Sequence, residues 1–144
     1  MQTPTVGEVV LTRWPDADTG RPGKARLTVV VAVRRTKVGH VVSVAYGTSR
    51  HLSDCQPGDF VVDPDVDGYN VFRRTGLQVP TKFSLSSIRE LPFDERWFKV
   101  PDGKPFGESP KIGHFPDALF RKVAAAVTTL KAARFGIPSD PVEA

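Results

Sequence analysis

The first part of the chain places short apolar runs between stretches of turn residues. Val6–Thr12 is rich in valine and leucine and alternates weakly, which predicts a strand. Arg13–Gly23 collects two prolines, two glycines and two aspartates, so a long loop is expected there. Ala25–Arg34 and Val41–Tyr46 are β-branched runs. The Lys37–His40 turn between them predicts that they pair as a hairpin, with the first of the two central and buried on both faces.

Two more segments read as strands. Phe60–Val62 follows a Pro-Gly turn, and Gly76–Ile88 predicts one or two strands around Pro80. Strands this short and closely spaced, with turn residues between them, indicate a closed or nearly closed barrel. The sequence therefore predicts a mostly β fold.

The pattern changes near the C-terminus. Asp102–His114 is punctuated by glycine and proline and predicts an irregular loop within an insertion at 93–114. A helix is predicted from Pro116 to about residue 135, stopped by Gly136 and Pro138. Its apolar residues recur at helical spacing and should cover one side of the barrel: Leu119, Phe120, Val123, Val127 and Leu130. We expect one domain over residues 1–138 and a frayed tail at 139–144.

Metal and cofactor motifs do not emerge from the sequence. Asp63–Gly68 begins like a calcium loop, but its twelfth position is Arg74 rather than a bidentate glutamate, so an acidic surface turn is the better interpretation. The three histidines are scattered and Cys55 is the only cysteine, which gives no metal-ligand spacing. Without a phosphate-binding glycine loop or a nucleophile elbow, neither nucleotide hydrolysis nor esterase chemistry is supported. No metal or cofactor is expected.

The amino-acid composition narrows the class of protein and its expected location. The 144 residues are 40% hydrophobic and 25% charged, as in ordinary globular domains. The sequence has no apolar run near the roughly 18 residues of a membrane span and no secretory signal. A single cysteine cannot form an intrachain disulfide, so a cytoplasmic protein without membrane association is expected.

Charge is unevenly distributed along the chain. The net charge is +4, yet residues 1–50 hold eight Lys/Arg against three Asp/Glu. A basic segment of this kind is typical of a phosphate-rich partner, although a solvated basic face gives the same count.

The predicted hairpin groups a small set of polar side chains. Pairing around residues 37–40 places Arg26 at the same end as Thr48 and Ser49. A guanidinium beside a hydroxyl can stabilise the charge that develops on a phosphate during cleavage. RNA supplies its own nucleophile, the 2′-hydroxyl, so this chemistry requires no metal.

The order of these motifs resembles the PemK/MazF family of type II toxin–antitoxin toxins. Gly7-Glu8-Val9-Val10-Leu11, a Pro/Gly loop and Gly23-Lys24-Ala25-Arg26 resemble the family's opening. Val44-Ala45-Tyr46-Gly47-Thr48-Ser49 resembles its third strand, and Gly76-Leu77-Gln78-Val79-Pro80-Thr81 and Ile88-Arg89-Glu90-Leu91 its later segments. The likeness covers residues 7–92 and the final helix. It departs at Leu27, where the family has proline, and at the 93–114 extension.

That resemblance implies an SH3-like barrel with a C-terminal helix, acting as a homodimeric endoribonuclease (mRNA interferase) on single-stranded RNA and blocked by a cognate antitoxin. It puts Arg26 at the catalytic arginine and Thr48 at the catalytic hydroxyl, with Ser49 adjacent. His51 is a candidate proton carrier. Basic residues near these positions are candidate RNA-binding residues: Arg13, Arg21, Lys24, Arg50 and Lys82.

Two other functions remain open. The barrel could bind nucleic acid or a protein partner without cutting, which the leucine at position 27 favours. It could also inhibit gyrase, as related barrels do. The cue for that activity is an exposed aromatic at the end of the final helix, where Phe135 stands.

Overall fold

The computed structural model describes residues 1–103 and 109–135, and one antiparallel sheet dominates them. Its strands run in the order β4-β5-β3-β2-β1-β6. Their bounds are β1 Glu8–Pro15, β2 Pro22–Thr36, β3 Gly39–Thr48, β4 Asp59–Val62, β5 Thr81–Pro92 and β6 Lys111–His114. The helices are α1 Pro64–Asp67, α2 Tyr69–Arg74 and α3 Asp117–Phe135. The prediction of a mostly β fold with a C-terminal helix is confirmed, and the sheet is open.

The central hairpin follows the sequence pattern. β2 and β3 pair from Thr36↔Gly39 at the turn to Thr28↔Tyr46. Thr28 to Val30 are all buried, as expected of a strand covered on both faces. β2 lies inside the sheet, between β1 and β3.

The long loop expected over Arg13–Gly23 is wrong. β1 continues to Pro15 and β2 begins at Pro22, so only residues 16–21 form the connection. The ladder runs through Arg13↔Ala25 to Pro15↔Pro22. Both prolines stand at strand ends, where a missing N–H costs least, so cross-strand pairing outweighs their turn preference.

The 93–114 segment is less irregular than its glycines and prolines suggested. Its last residues form β6, which pairs with β1 at Glu8↔His114 and Val9↔Gly113. Earlier in the segment, the Arg13 N–H donates to the Trp97 carbonyl at 2.6 Å, and the Lys99 N–H donates to Leu11 at 3.1 Å. The segment therefore follows the outer edge of β1, whose backbone groups need partners. Residues 104–108 of the expected loop lie outside the described residues.

The acidic turn at Asp63–Gly68 is in fact the short helix α1. The Asp63 carboxylate caps it by accepting the Asp65 N–H at 2.8 Å. The Asp67 side chain is 8% exposed and accepts from the Lys122 ammonium of α3 at 2.8 Å. That ammonium also donates to the Val61 carbonyl at 2.6 Å. Helix α2, which the sequence did not predict, follows at once and buries Phe72.

One face of the sheet packs against α3. Leu119 and Ala126 are the buried helix residues, with 1% and 3% exposure. Val123, Val127 and Leu130 pack partly buried against the same cluster, while Phe120 is 38% exposed. The helix prediction is confirmed, with its start one residue after Pro116. The predicted stop and the tail at 139–144 lie outside the described residues.

The sheet curls around this helix-side core. Phe115, directly after edge strand β6, contacts Phe60 of the opposite edge strand β4, with ring centroids 6.0 Å apart. Phe115 also meets Phe83 of β5 edge-on at 5.4 Å. Aromatic side chains thus link strands that are far apart in the order of the sheet.

The second face of the sheet carries a smaller apolar cluster at one end. Its buried members are Val10, Val30, Val42, Val44, Leu91 and Phe98. Phe93 and Trp97 pack against the cluster, so the 93–98 segment covers this end. The same face continues toward Trp14 and Tyr46, where two cavities open. No helix in the described residues is both long and apolar enough to cross a membrane.

Candidate functional site

Two adjoining cavities open at the far end of the second face. The first, of about 530 Å³, is lined by Trp14, Asp16, Lys24, Arg26, Tyr46 and Arg89, among others, and is called here the Trp14 cavity. The second, of about 490 Å³, includes Arg26, Tyr46, Thr48, Ser49 and Arg50 in its lining and is called here the Thr48 cavity. Arg26 and Tyr46 line both, so they stand where the two cavities meet.

Strand register explains this grouping. Arg26 pairs with Thr12, and Thr28 pairs with Tyr46. Cross-strand partners share a face, and so do residues two apart on a strand. One face of the sheet therefore carries Arg26, Thr28 and Tyr46. Two residues beyond the Thr28–Tyr46 pair, Arg26 on β2 comes level with Thr48 on β3. The structure brings together the arginine and the hydroxyl that the hairpin predicted at one end.

The Thr48 hydroxyl is half-buried and partly engaged. Its oxygen accepts the Arg50 N–H at 3.1 Å, which holds the turn after β3. A hydroxyl has one donor hydrogen and two acceptor lone pairs. Its hydrogen therefore stays available to an anionic ligand in the cavity.

The Thr48 cavity is basic. Arg26 and Arg50 are exposed at its wall, with Ser49 between Thr48 and Arg50. Among the described residues that line it, none is acidic and none is histidine. Such a lining favours an anion, and a guanidinium can grip two oxygens of a phosphate at once.

The Trp14 cavity adds aromatic surface. The rings of Trp14 and Tyr46 meet edge-on with centroids 5.0 Å apart. The guanidinium carbon of Arg89 lies over the Trp14 ring, 5.8 Å from its centroid. Sequence reasoning missed Trp14 because it assigned residues 13–23 to a loop. The alternation Val10, Thr12, Trp14 was the signal that β1 continues and places the tryptophan on this face.

One acidic group stands at the Trp14 cavity. The backbone N–H groups of Thr19 and Asp18 donate to Asp16 and hold the pKa of that carboxyl below its usual value of 3.8. Both bonds end on Oδ1, at 3.0 and 2.9 Å. Asp16 is therefore ionised at neutral pH and lowers the positive potential beside Lys24.

Lys82, a candidate RNA-binding residue, makes its contacts within the protein. Its ammonium donates to the carbonyls of His51 and Asp54 at 2.9 and 2.8 Å. The Asp59 carboxylate is 3.9 Å away, and the Lys82 side chain is only 12% exposed. Lys82 thus anchors the loop that follows β3.

The other candidates lie outside both cavities. His51 is exposed in a left-handed backbone conformation, φ 56°, and is not among the lining residues. Arg21 is exposed in the 16–21 connection. Arg13 pairs with Ala25 and, by strand alternation, faces away from Trp14. Of the predicted basic residues, Lys24 and Arg50 line these two cavities, together with Arg26.

Across residues 1–103 and 109–135, no three His, Cys, Asp or Glu side chains come together as a metal site would require. Cys55 is exposed and forms no disulfide.

Comparison with known proteins identifies no family for this chain, so its function is inferred from the geometry of the two cavities. No protein-family model matches the chain. No curated protein matches it either.

Proposed function

We propose that this protein is an endoribonuclease of the PemK/MazF kind that cleaves single-stranded RNA without a metal ion. The observation that carries the proposal is the shared Thr48 cavity, where the Arg26 guanidinium and the Thr48 hydroxyl line one basic space. A phosphodiester placed there would meet a fixed positive charge and a free hydroxyl hydrogen. These are the groups that stabilise a phosphorane-like transition state.

The proposed reaction uses the RNA as its own nucleophile. The 2′-hydroxyl oxygen attacks the adjacent phosphorus and loses its proton to solvent, while the bond from phosphorus to the 5′-oxygen breaks. That oxygen takes up a proton, which leaves a 2′,3′-cyclic phosphate and a 5′-hydroxyl. Arg26 would bind the non-bridging oxygens as their charge grows, and Thr48 would orient the phosphate.

We also propose four further features that the resemblance to this family implies. They are an SH3-like barrel, a homodimer, a cognate antitoxin that covers the cavities and a cytoplasmic location. The curled antiparallel sheet with a C-terminal helix supports the barrel. The basic cavity supports RNA as the ligand.

A second candidate is a module that binds nucleic acid without cutting it. It is favoured by one observation: no carboxylate or imidazole is found among the described residues that line the Thr48 cavity. General-base catalysis by a side chain usually relies on such a group. Binding alone needs only the basic and aromatic groups that are present.

Gyrase inhibition rests on a different surface. Phe135 ends α3 and is 69% exposed, which agrees with an aromatic contact to a partner. This candidate makes no use of Arg26, Thr48 or either cavity, so ribonuclease activity explains more of the molecule.

The test is incubation of purified protein with a mixed-sequence single-stranded RNA in EDTA, with Arg26→Ala as the inactive control. The proposal expects cleavage by the parent, with cyclic phosphate and 5′-hydroxyl ends, and little by the variant. Cleavage that disappears in EDTA and returns with magnesium would overturn the mechanism. Retention of intact RNA by the parent would establish the binding module instead.

A further inference from the structure

The Trp14 cavity offers a flat aromatic surface beside the proposed phosphate site. Trp14 is half-buried, and Tyr46, whose ring supports its edge, also lines the Thr48 cavity. We propose that the Trp14 cavity is a base-stacking subsite that holds one unpaired nucleobase of a single-stranded nucleic acid. This inference rests on the proposed function and names the part of the substrate that lies next to the phosphate.

The tryptophan is held in place before any ligand arrives. β1 and β2 pair at Arg13↔Ala25 and Pro15↔Pro22, on either side of Trp14, with a shift of register between the two pairs. The β2 backbone comes so close that a Cβ at Gly23 would lie 2.7 Å from the Trp14 carbonyl oxygen. These contacts hold the backbone, and the Trp14 ring itself packs against Tyr46 and the second apolar cluster. A ring held in this way loses little side-chain entropy when a base stacks on it.

Arg89 supplies a second planar group. Its guanidinium carbon is 5.8 Å from the Trp14 centroid, and two stacked contacts of about 3.5 Å each would need roughly 7 Å. Arg89 is exposed on β5, opposite Val44. A shift of about 1 Å would let a base lie between the indole and the guanidinium, and the cation–π attraction of Arg89 would then act on the base.

The order of the two cavities fits one strand of nucleic acid. Arg26 and Tyr46 border both, so a base in the Trp14 cavity and a phosphate in the Thr48 cavity would belong to neighbouring nucleotides. Lys24, also in the Trp14 cavity, can neutralise a further phosphate. A base stacked on Trp14 must be unpaired, so the subsite selects single strands. Stacking accepts every base and therefore adds affinity more than sequence preference.

The experiment separates binding from cleavage by using a 2′-O-methyl RNA oligonucleotide, which has no free 2′-hydroxyl. The chain has two tryptophans, Trp14 and Trp97, so Trp97→Phe leaves Trp14 as the only indole. Its fluorescence should be quenched as the oligonucleotide is added. The same oligonucleotide with abasic positions should bind roughly tenfold or more weakly and quench little. A duplex of the same sequence should also quench little.

Variants at position 14 supply the matched comparison. Trp14→Phe should keep part of the affinity and Trp14→Leu should lose roughly ten- to hundredfold. If Trp97→Phe fails to fold, the difference in emission between the parent and Trp14→Phe gives the same readout. Equal affinity for intact and abasic oligonucleotides, or unchanged Trp14 emission, would overturn the subsite. A parent that shows stacking but never cleaves natural RNA would refute the ribonuclease and leave the subsite standing. If the parent cleaves RNA and Trp14→Leu binds and cleaves it equally well, the subsite would be refuted and the ribonuclease would stand.

Discussion

The side-chain oxygens of Thr12 and Thr28 lie 2.8 Å apart, and both residues are fully buried. They sit on the same sheet face as Arg26 and Tyr46, with Thr12 directly opposite Arg26 and Thr28 directly opposite Tyr46, so their hydrogen bond lies beside the candidate site. Thr28 can also donate to the Val10 carbonyl at 3.3 Å. If Thr12 is replaced, the Thr28 hydroxyl can still donate to the Val10 carbonyl. If Thr28 is replaced, the Thr12 hydroxyl loses its hydrogen-bond partner.

Replacing these threonines with valine should give unequal results. Thr28→Val leaves the Thr12 hydroxyl buried without a partner and should cost about 1–3 kcal/mol in the free energy of unfolding. Thr12→Val should cost less, because Thr28 keeps Val10 as an acceptor. The double variant should be more stable than the sum of the two losses predicts, since no hydroxyl is then left unpaired. Urea unfolding measures all three, and strictly additive losses would contradict the pairing.

Arg26 should be the most sensitive position for cleavage. Arg26→Ala should lower the rate roughly 10²- to 10³-fold, the range for losing one preorganised donor at a developing negative charge. Arg26→Lys should rescue only partly, because it keeps the charge and loses the planar fork. The matched control is Arg35→Ala, an exposed arginine near the opposite end of the β2–β3 hairpin. Equal losses in Arg26→Ala and Arg35→Ala would indicate a general charge effect rather than a site.

Thr48→Val tests the hydroxyl while keeping the size and the β-branching of the side chain. Cleavage should fall, and the combined loss with Arg26→Ala should be less than the product of the single losses if both groups act on one transition state. Single-turnover rates under saturating RNA measure this. A folded Thr48→Val with the full parental rate would place the chemistry elsewhere in the two cavities.

Asp16→Asn should strengthen RNA binding. The asparagine keeps Oδ1, which accepts the N–H groups of Asp18 and Thr19, and removes only the negative charge. The gain should be about two- to fivefold at low salt and shrink as salt rises, since the group is exposed. Titration at two ionic strengths measures it, and unchanged affinity at low salt would mean that RNA does not approach this loop.

The lowered pKa of the Asp16 carboxyl also predicts how the stability of the 16–21 connection depends on pH. Its N–H donors favour the ionised form and lower its pKa below 3.8 in the folded chain. The stabilisation is therefore fully present above pH 3.8 and is lost as pH falls through the lower folded-state pKa. The protection of the Asp18 and Thr19 amides against exchange, relative to their intrinsic rates at each pH, should hold until that point and then fall. In Asp16→Asn the exchange of these amides should show no such step.

Lys122 should be important for stability. Lys122→Met removes the donor to both Asp67 and the Val61 carbonyl and leaves the 8%-exposed carboxylate without its cation. A loss of about 1–3 kcal/mol is expected in thermal or urea unfolding. Arg121→Met, one residue earlier and exposed, is the control and should change stability by less than about 0.5 kcal/mol. Equal effects of the two changes would show that the Lys122 contacts do not hold α3 to α1 and β4.

The sequence predicted the parts of this fold whose pattern is local. The β2–β3 hairpin combines β-branched runs with a short turn, and α3 combines helical spacing with apolar residues, so each was found with nearly correct bounds. The Arg26–Thr48 proximity followed directly from that hairpin. These features depend on residues close together along the chain.

The missed features depend on partners that are distant along the chain. β6 exists because Lys111–His114 pairs with β1, roughly a hundred residues earlier, and nothing in its four-residue sequence signals that. Trp14 was placed in a loop because the neighbouring prolines and aspartates are strong turn residues, yet the ladder to β2 extends past it. The internal use of Lys82 likewise requires carbonyls of residues 51 and 54, whose positions no local pattern specifies.

The lengths of the strands at the two ends of the sheet also bear on how copies of this chain can meet. β4 and β6, the outer strands, have four residues each, while the fifteen-residue β2 lies inside. The backbone of β1 is already occupied by β6 and by Trp97 and Lys99. Long exposed edges are the usual templates for intermolecular strand addition and aggregation. With edges this short, association of two copies would have to rely on side-chain surfaces rather than on a sheet continued from one molecule into the next.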